Sequence, residues 1–378
     1  MTYKSLRDTG KIFDNWIGLE IKMRGILVGK LIKRDENNLD LIRLVASLSV
    51  IVYHSFALNP QWGITDPVKN FFGYMTTGGL AVKIFFFISG LLVTNSLLSR
   101  NSTIHFIVSR SLRVFPGLAF VVMMTAFLIG PIFTTMPIAE YFKTNQPIVY
   151  VIKNMLLDTQ YTLPGVFEKN SYGVNGSLWT IHYEVLAYVI LALLYVTKFG
   201  SSRLISSLLC LIVIIEPITP LKGALFAGSS NNAIYLLAPC FALGSLLAIN
   251  KNHFHTNLYI PLILFFAQFI FNDEYISSLL LCISICLLSL HISSMKLVIG
   301  FHLKHDISYG VYLWGFPVQQ IISQNLNLHP TLNIALSILL AISMAFVSWF
   351  LVEKPAMRFA KKIADKKPRQ LSIKSTHK

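Results

Sequence analysis

Residues 39–58 read LDLIRLVASLSVIVYHSFAL, and this stretch decides the fold class of the chain. A run of about 20 predominantly apolar residues is long enough for one helix to cross the hydrocarbon core of a bilayer. Because no water reaches that core to hydrogen-bond the backbone, such a segment must be helical. The stretch nevertheless contains Arg43 and His54, and ionisable side chains inside a membrane are costly enough to need a reason.

The composition of the whole chain also indicates a membrane protein. Of its 378 residues, 54% are hydrophobic and 13% are charged, and the mean hydropathy is +0.61. A soluble domain of this length has too little interior to bury so many apolar side chains. The net charge of +15 predicts basic cytoplasmic loops that face anionic lipid headgroups. No nucleic-acid partner is expected, since no basic stretch is interleaved with aromatic residues.

Further apolar runs of similar length follow, and they do not alternate as the strands of a β-barrel do. The sequence therefore predicts an all-α, polytopic transmembrane helical bundle with about ten spans. The predicted spans are 39–58, 78–98, 114–133, 176–196, 204–220, 232–250, 257–271, 276–292, 308–326 and 332–352. The domain organisation follows: a basic arm over 1–38, a ten-span domain over 39–355 and a basic tail over 356–378.

Every second loop between the predicted spans is basic, as are the arm and the tail. The basic loops are 99–113, 197–203, 251–256 and 293–305. The positive-inside rule then places both termini in the cytoplasm. The longest loop on the other side is 134–175; binding of substrate and simple connection are both open for it.

The first span brings its two ionisable side chains onto one line. Arg43 and His54 are eleven residues apart, which returns a helix to within about 20° of the same face and separates them by about 16 Å along the axis. Arg43 is expected near the cytoplasmic boundary and His54 in the outer half of the membrane. Snorkelling of Arg43 to headgroups and a hydrogen-bonded packing role for His54 remain alternatives.

The fourth span carries a polar face of its own. Ser177, Thr180, Glu184 and Tyr188 are spaced i, i+3, i+7 and i+11, which places them on one side of a helix. Glu184 is expected about 12–14 Å below the outer surface, a depth that overlaps that of His54. The sequence thus predicts a general-base pair in which Glu184 orients the imidazole. The alternative is that Glu184 neutralises an arginine and holds the bundle together.

Two more features carry charge or chemistry. Arg110 and Arg113, at i and i+3, share one side of a helix at the cytoplasmic interface and can bind phosphates bidentately; positive-inside anchoring is the alternative. Lys83 is an intramembrane charge without an assigned role. The four cysteines show no CxxC spacing, so neither a metal nor a redox site is expected.

Several motifs together resemble integral-membrane acyltransferase family 3, the bacterial O-acyltransferases of cell-surface glycans. Along the chain the motifs are Arg43-x10-His54, FFxxSG with Ser89, Arg110-x-x-Arg113, NGSLWT-x-x-Glu184-x-x-x-Tyr188 with Trp179, ISYGVYLWGFP with Tyr309 and Tyr312, and the closing VEKP. They occur in the order typical of the family and extend over about 40–355. Two positions depart from it: Gly315 stands where His is often found, and Lys83 where an acidic or neutral residue is common.

The resemblance implies transfer of an acyl group, usually acetyl from acetyl-CoA at the cytoplasmic side, to a hydroxyl of a surface polysaccharide or its lipid-linked precursor. The enzyme would lie in the cell (inner) membrane and contact membrane lipids. By motif position His54 would be the catalytic base or a transient acyl carrier, and Arg43, Arg110 and Arg113 would handle the donor. The remaining motif residues would bind substrate or support the site: Ser89, Trp179, Tyr188, Tyr309 and Tyr312.

Two other functional classes fit parts of the pattern. Intramembrane Arg, His and Glu also occur in transporters and flippases of glycans or lipids, although no pair of broken helices in corresponding halves is visible. A non-catalytic assembly partner of a glycan polymerase is the third interpretation.

Overall fold

A computed structural model describes residues 25–169, 172–197, 202–224, 236–301 and 303–364. The predicted basic arm over 1–38 is therefore described from residue 25 onward, and the predicted tail over 356–378 as far as residue 364. The rest of both segments lies outside the described residues.

The described chain is mostly helical, with one small two-stranded sheet. The elements in chain order are β1 (Ile26–Leu27), α1 (Val28–Leu31), α2 (Leu39–Leu58), α3 (Pro67–Phe72), α4 (Thr77–Arg100), α5 (Thr103–Phe133), α6 (Ile138–Lys143), α7 (Gln146–Met155), α8 (Gly176–Val196), α9 (Arg203–Ile215), α10 (Leu237–Ile249), β2 (His255–Thr256), α11 (Tyr259–Ile270), α12 (Glu274–Ser293), α13 (Lys296–Gly300), α14 (Ser308–Asn325) and α15 (Pro330–Ile363). β1 and β2 pair antiparallel, with Ile26 opposite Thr256.

Each of the ten predicted apolar runs coincides with one of these helices over most of its described length. Six helices, namely α2, α4, α5, α8, α12 and α15, are long and apolar enough to cross a membrane. The prediction of a helical bundle with several helices that could span a membrane is thereby confirmed. The total of ten spans and the cytoplasmic position of both termini stay predictions, because α9, α10, α11 and α14 are shorter or more polar.

Helix α2 begins where its sequence provides a cap. The Asn38 side chain accepts the backbone N–H of Leu41 at 3.0 Å, which satisfies one of the donors left open at a helix N-terminus. The amide nitrogen of Asn38 also donates to the Val298 carbonyl in α13 at 2.9 Å. The start of α2 is thus held against the segment that leads into α14.

Glycines set the spacing of the central helices. A Cβ on Gly90 of α4 would lie 2.1 Å from the Phe241 carbonyl oxygen in α10, and one on Gly244 of α10 would lie 2.1 Å from the Phe87 carbonyl oxygen. The two backbones therefore touch, as small residues permit where helices pack in membranes. A Cβ on Gly315 of α14 would meet the Ile51 side chain of α2 at 2.8 Å, so a larger residue there would displace one of these helices.

The described parts of the segment over 134–175, residues 134–169 and 172–175, are folded. They contain α6 and α7, and the Tyr141 hydroxyl donates to the Ala126 carbonyl in α5 at 2.8 Å. Farther along, the Gln320 side chain of α14 donates to the carbonyl of Gly173. These bonds attach the segment to two long helices, while its role in binding stays open.

Candidate active site

Two adjoining cavities lie inside the bundle. The larger has a volume of about 670 Å³ and lies where α2 begins, between α2, α4, α5, α8 and the chain around residues 303–306. The smaller, of about 280 Å³, lies toward the other end of α2. Val82 and Tyr312 are the two side chains that line both cavities, so they form the partition between them. We call them the arginine cavity and the His54 cavity.

An acid that the sequence analysis missed organises the arginine cavity. The Asp306 carboxylate accepts hydrogen bonds from Arg43 Nη1 at 2.7 Å and from Arg113 Nη2 at 2.6 Å. Arg113 Nη1 also lies 3.7 Å from Glu353 Oε2. The only available signal for Asp306 was its position just before the ISYG motif, directly after the loop over 293–305 that was interpreted as basic. Two of the predicted donor arginines are thus tied to one carboxylate.

The charge of Asp306 follows from these neighbours. Burial alone would raise the pKa of this carboxyl. The guanidiniums of Arg113 and Arg43, together with hydrogen bonds from Ser308, lower the pKa by more than burial raises it. The net result is a pKa well below the ordinary range of an aspartate. Asp306 is therefore a stably ionised anchor for the two arginines.

Arg110 differs from the two anchored arginines. It lines the same cavity as Arg113, which confirms that the i, i+3 spacing places both on one side of α5. Its Nε atom is buried and has no hydrogen-bond partner among the described residues. A guanidinium with an unmet donor inside a cavity is suited to binding an anionic ligand.

Glu184 lies in the arginine cavity and not beside His54. Its Oε1 accepts from the Tyr188 hydroxyl and from Ser89 Oγ, the latter at 3.3 Å, and Ser89 and Tyr188 hydrogen-bond each other at 2.8 Å. The expected His54–Glu184 pair is therefore wrong in its geometry. The depth estimate failed because α8 reaches the partition at Thr180, so that Glu184 lies about one turn past it on the arginine side.

The two tyrosines of the ISYGVYLW motif donate hydrogen bonds to the backbone of neighbouring helices. Tyr312 Oη is 2.6 Å from Thr180 Oγ1 and donates to the Ser177 carbonyl at 2.8 Å. The Tyr309 hydroxyl donates to the Val114 carbonyl in α5 at 2.9 Å. The partition side chain Tyr312 is thus held in place by α8, and the polar face predicted for that helix is confirmed.

His54 lies in the smaller cavity, as does Trp179. The imidazole meets the Phe316 ring edge-on, with 4.9 Å between ring centroids. His54 Nδ1 is buried and has no hydrogen-bond partner among the described residues. An imidazole that is surrounded by aromatic walls and has an open ring nitrogen can accept a proton or an acyl group from a bound substrate.

The Acyltransferase domain model of family 3 matches residues 36–353 of this sequence, which is most of the chain and includes most of the residues that line the two cavities. The chain belongs to acyltransferase family 3. It is therefore an acyltransferase, and with its apolar helices it is a membrane protein.

Two relatives agree with this membership. A protein of Shigella phage Sf6 named O-acetyl transferase is 30% identical over 331 residues, which cover 84% of this chain and 95% of the phage protein. Nodulation protein 10 of Rhizobium leguminosarum bv. viciae is 32% identical over 166 residues, which cover 42% of this chain and 44% of that protein. No solved structure matches the acyltransferase.

Among the residues that the structure describes, no group of three or more His, Cys, Asp or Glu side chains is arranged to hold a metal ion. The four cysteines are free thiols, and three of them are buried.

Proposed function

We propose that this acyltransferase is an O-acetyltransferase that moves an acetyl group from acetyl-CoA to a hydroxyl of a cell-surface polysaccharide or of its lipid-linked precursor. The observation that carries the proposal is the pair of cavities, one lined by four arginines, including the three predicted to handle the donor, and the other by His54, which adjoin at Val82 and Tyr312. The name of the phage relative supports acetyl as the acyl group. The glycan acceptor rests on the family resemblance.

The arginine cavity suits the donor. Its volume of about 670 Å³ falls in the range of about 300–1,000 Å³ that small-molecule sites occupy. Arg110 offers an unmet donor to a phosphate, and Arg43 and Arg113 keep further N–H groups beyond those bound to Asp306. The positive-inside pattern supports a cytoplasmic opening of this cavity, which acetyl-CoA requires.

His54 performs the transfer in one of two ways. As a general base, its imidazole accepts the proton of the acceptor hydroxyl while that oxygen attacks the thioester carbonyl; the C–S bond breaks and the CoA thiolate takes the proton. As a carrier, its unprotonated ring nitrogen attacks the thioester carbonyl first, the C–S bond breaks, and the CoA thiolate takes the ring's N–H proton. In a second step the acceptor oxygen attacks the acetyl group, the C–N bond breaks, and the hydroxyl proton returns to the imidazole. The position of His54 in the cavity wall, with no protein partner on Nδ1 among the described residues, supports either route.

The other site residues receive roles from their contacts. Glu184 offsets positive charge in the arginine cavity and holds Ser89 and Tyr188, while Trp179 lines the acceptor side. Tyr309 and Tyr312 fix the helices on which the partition depends.

The wider arrangement belongs to the same proposal. The domain over 39–355 crosses the inner membrane ten times, and both termini lie in the cytoplasm. The acceptor then reaches the His54 cavity from the opposite side.

Deletion and complementation in the host test the proposal. Mass spectrometry of the surface glycan should show the loss of an acetyl mass on deletion, and a plasmid copy should restore it. A copy carrying His54→Ala should fail to restore it. A copy carrying His182→Ala should succeed, because that histidine is exposed and its ring nitrogen is 3.2 Å from the Leu157 carbonyl oxygen. If deletion removes the glycan from the surface and leaves the acetyl content of the residual glycan unchanged, the protein is a transporter.

A further inference from the structure

Lys83 is a buried ammonium in α4 that no acid of this chain neutralises within the described residues. Its exposed fraction is 4%, and its Nζ atom donates a hydrogen bond to the Gly79 carbonyl at 3.4 Å. No described carboxylate lies within 4.0 Å of it. An ammonium has three donors, and an unpaired charge in a membrane interior is costly. The chain thus keeps a charge that its own residues do not compensate.

This charge belongs to the His54 cavity. Lys83, Gly79 and His54 all line it, and no Asp or Glu side chain does. The lysine bends back one turn toward Gly79, and the neighbouring Gly78 packs against Tyr53, next to His54 in sequence. The ammonium and the imidazole therefore lie at a similar depth.

The rest of the cavity wall is suited to a sugar. Tyr53, Trp179 and Phe316 line it, and aromatic walls with a few polar groups are typical of small-molecule sites. Snorkelling does not explain Lys83, because an exposed fraction of 4% leaves the ammonium out of contact with the surface.

We propose that Lys83 binds a negatively charged group of the acceptor, a carboxylate or a phosphate close to the hydroxyl that is acetylated, so that the substrate is an acidic glycan. This inference rests on the proposed function and adds the chemical class of the acceptor. In a site of low dielectric the ammonium attracts such an oxyanion strongly. A neutral acceptor would leave the buried charge unpaired, and unpaired buried groups are what allow a site to reject an analogue.

The test uses the glycan of the host strain that lacks this gene, so that its acceptor hydroxyls are unmodified. One portion is left intact, a second has its carboxylates reduced to alcohols with carbodiimide and borohydride, and a third is dephosphorylated with hydrofluoric acid. Purified wild-type protein with radiolabelled acetyl-CoA should acetylate the intact glycan. Its kcat/KM should fall at least tenfold on one of the treated glycans, and that glycan identifies the charged group.

Substitutions then assign the effect to Lys83. Lys83→Met should reduce the ratio of kcat/KM between intact and neutralised glycan toward one, and Lys83→Gln should do the same. Lys83→Arg should keep part of the ratio. Lys69→Met, at an exposed lysine of α3, is the matched control and should keep the wild-type ratio. Lys83→Met should melt at the wild-type temperature or above, since it removes an uncompensated buried charge.

Three results would overturn the inference. Equal use of all three glycans by the wild type excludes recognition of an acidic group. An equal loss on intact and neutralised glycan in both Lys83→Met and Lys83→Gln assigns the lysine to the tetrahedral oxyanion of the reaction instead. Failure of the wild type to acetylate even the intact glycan refutes the proposed function and this inference with it.

Discussion

At the residue scale, the proposed reaction depends on His54 in one cavity and on the three predicted donor arginines, Arg43, Arg110 and Arg113, in the other. Arg43 and Arg113 bind the Asp306 carboxylate in one cavity, whereas His54 faces aromatic rings in the other. No described acid hydrogen-bonds His54 Nδ1, so an imidazole that acts as proposed must be oriented by packing and by the substrate. Its removal should therefore affect turnover far more than folding.

Purified His54→Ala is expected to lose about 10²–10⁴-fold in kcat, the usual contribution of a general base, or more if the imidazole carries the acetyl group. Its melting temperature should stay near that of the wild type. Mass spectrometry of the wild type after mixing with acetyl-CoA alone should separate the two routes, because only a carrier gains an acetyl mass on the peptide with His54. Near-normal turnover by His54→Ala would remove this residue from the mechanism.

Arg110→Ala is expected to raise the KM for acetyl-CoA by about tenfold or more, since a charge-assisted hydrogen bond contributes about 1.5–3 kcal/mol. Arg110→Lys should recover part of this loss, because lysine provides a point charge without the planar fork. The comparison is Arg100→Ala, at an exposed arginine of α4. Identical steady-state constants for the Arg110 variants and the wild type would mean that Arg110 does not bind the donor and only anchors its helix at the cytoplasmic interface.

The ionised Asp306 carboxylate makes the stability of the folded protein depend on pH. Because its folded pKa lies below the ordinary value, its contribution is fully present above about pH 4 and is lost as the pH falls below that range. Asp306→Asn should lower the melting temperature in detergent at pH 7 and weaken the fall of that temperature as the pH drops below about 4. Asp158→Asn should have little effect, as its pair with Lys153 is exposed. An Asp306→Asn protein with an unchanged melting curve would contradict this role.

At the element scale, Gly90 and Gly244 allow the backbones of α4 and α10 to pack in direct contact. Gly90 lies in the FFxxSG motif, where sequence reasoning singled out Ser89 alone. The structure gives Gly90 a physical reason, since a methyl group there would meet the backbone of α10. Because Ser89 follows the same helix into the arginine cavity, the close contact also positions the bond between Ser89 and Glu184.

Gly90→Ala is expected to destabilise the protein by about 1–3 kcal/mol through overpacking, and by more if the backbone cannot shift. A thermal melt in detergent measures this effect. Gly300→Ala should leave the melt unchanged, because no atom lies within 4 Å of the Cβ it adds. Equal melting of both variants and the wild type would mean that α4 and α10 do not pack this closely.

How far the sequence predicted the structure differs from element to element. The apolar runs located the helices, because burial in lipid imposes helical structure on any long apolar segment. Helical spacing also correctly placed Arg110 and Arg113 on one side of α5. It likewise placed Thr180, Glu184 and Tyr188 on one side of α8. It failed for Asp306 and for the partner of His54, because contacts between helices far apart in sequence depend on rotation and depth, which spacing within one helix does not fix.

Orientation is the main prediction at the scale of the whole molecule. In a cysteine-free background, Ile64→Cys on the proposed outer side should react with a membrane-impermeant maleimide on intact cells. Ser99→Cys, at the other end of α4, should react only after permeabilisation; both positions are exposed. The positive-inside pattern is the physical reason. The reverse labelling would invert the assignment of donor and acceptor sides.

The partition between the two cavities has a consequence for the cell that houses the enzyme. In the proposed orientation, a continuous wet passage past Val82 and Tyr312 would conduct protons and dissipate the electrochemical gradient of the membrane. Tyr312 is fixed by Thr180 and by the Ser177 carbonyl, so the passage stays closed at two side chains. The acetyl thioester must therefore pass this thin wall to reach His54, and the two side chains must close around it if the membrane is to remain an electrical insulator while the reaction proceeds.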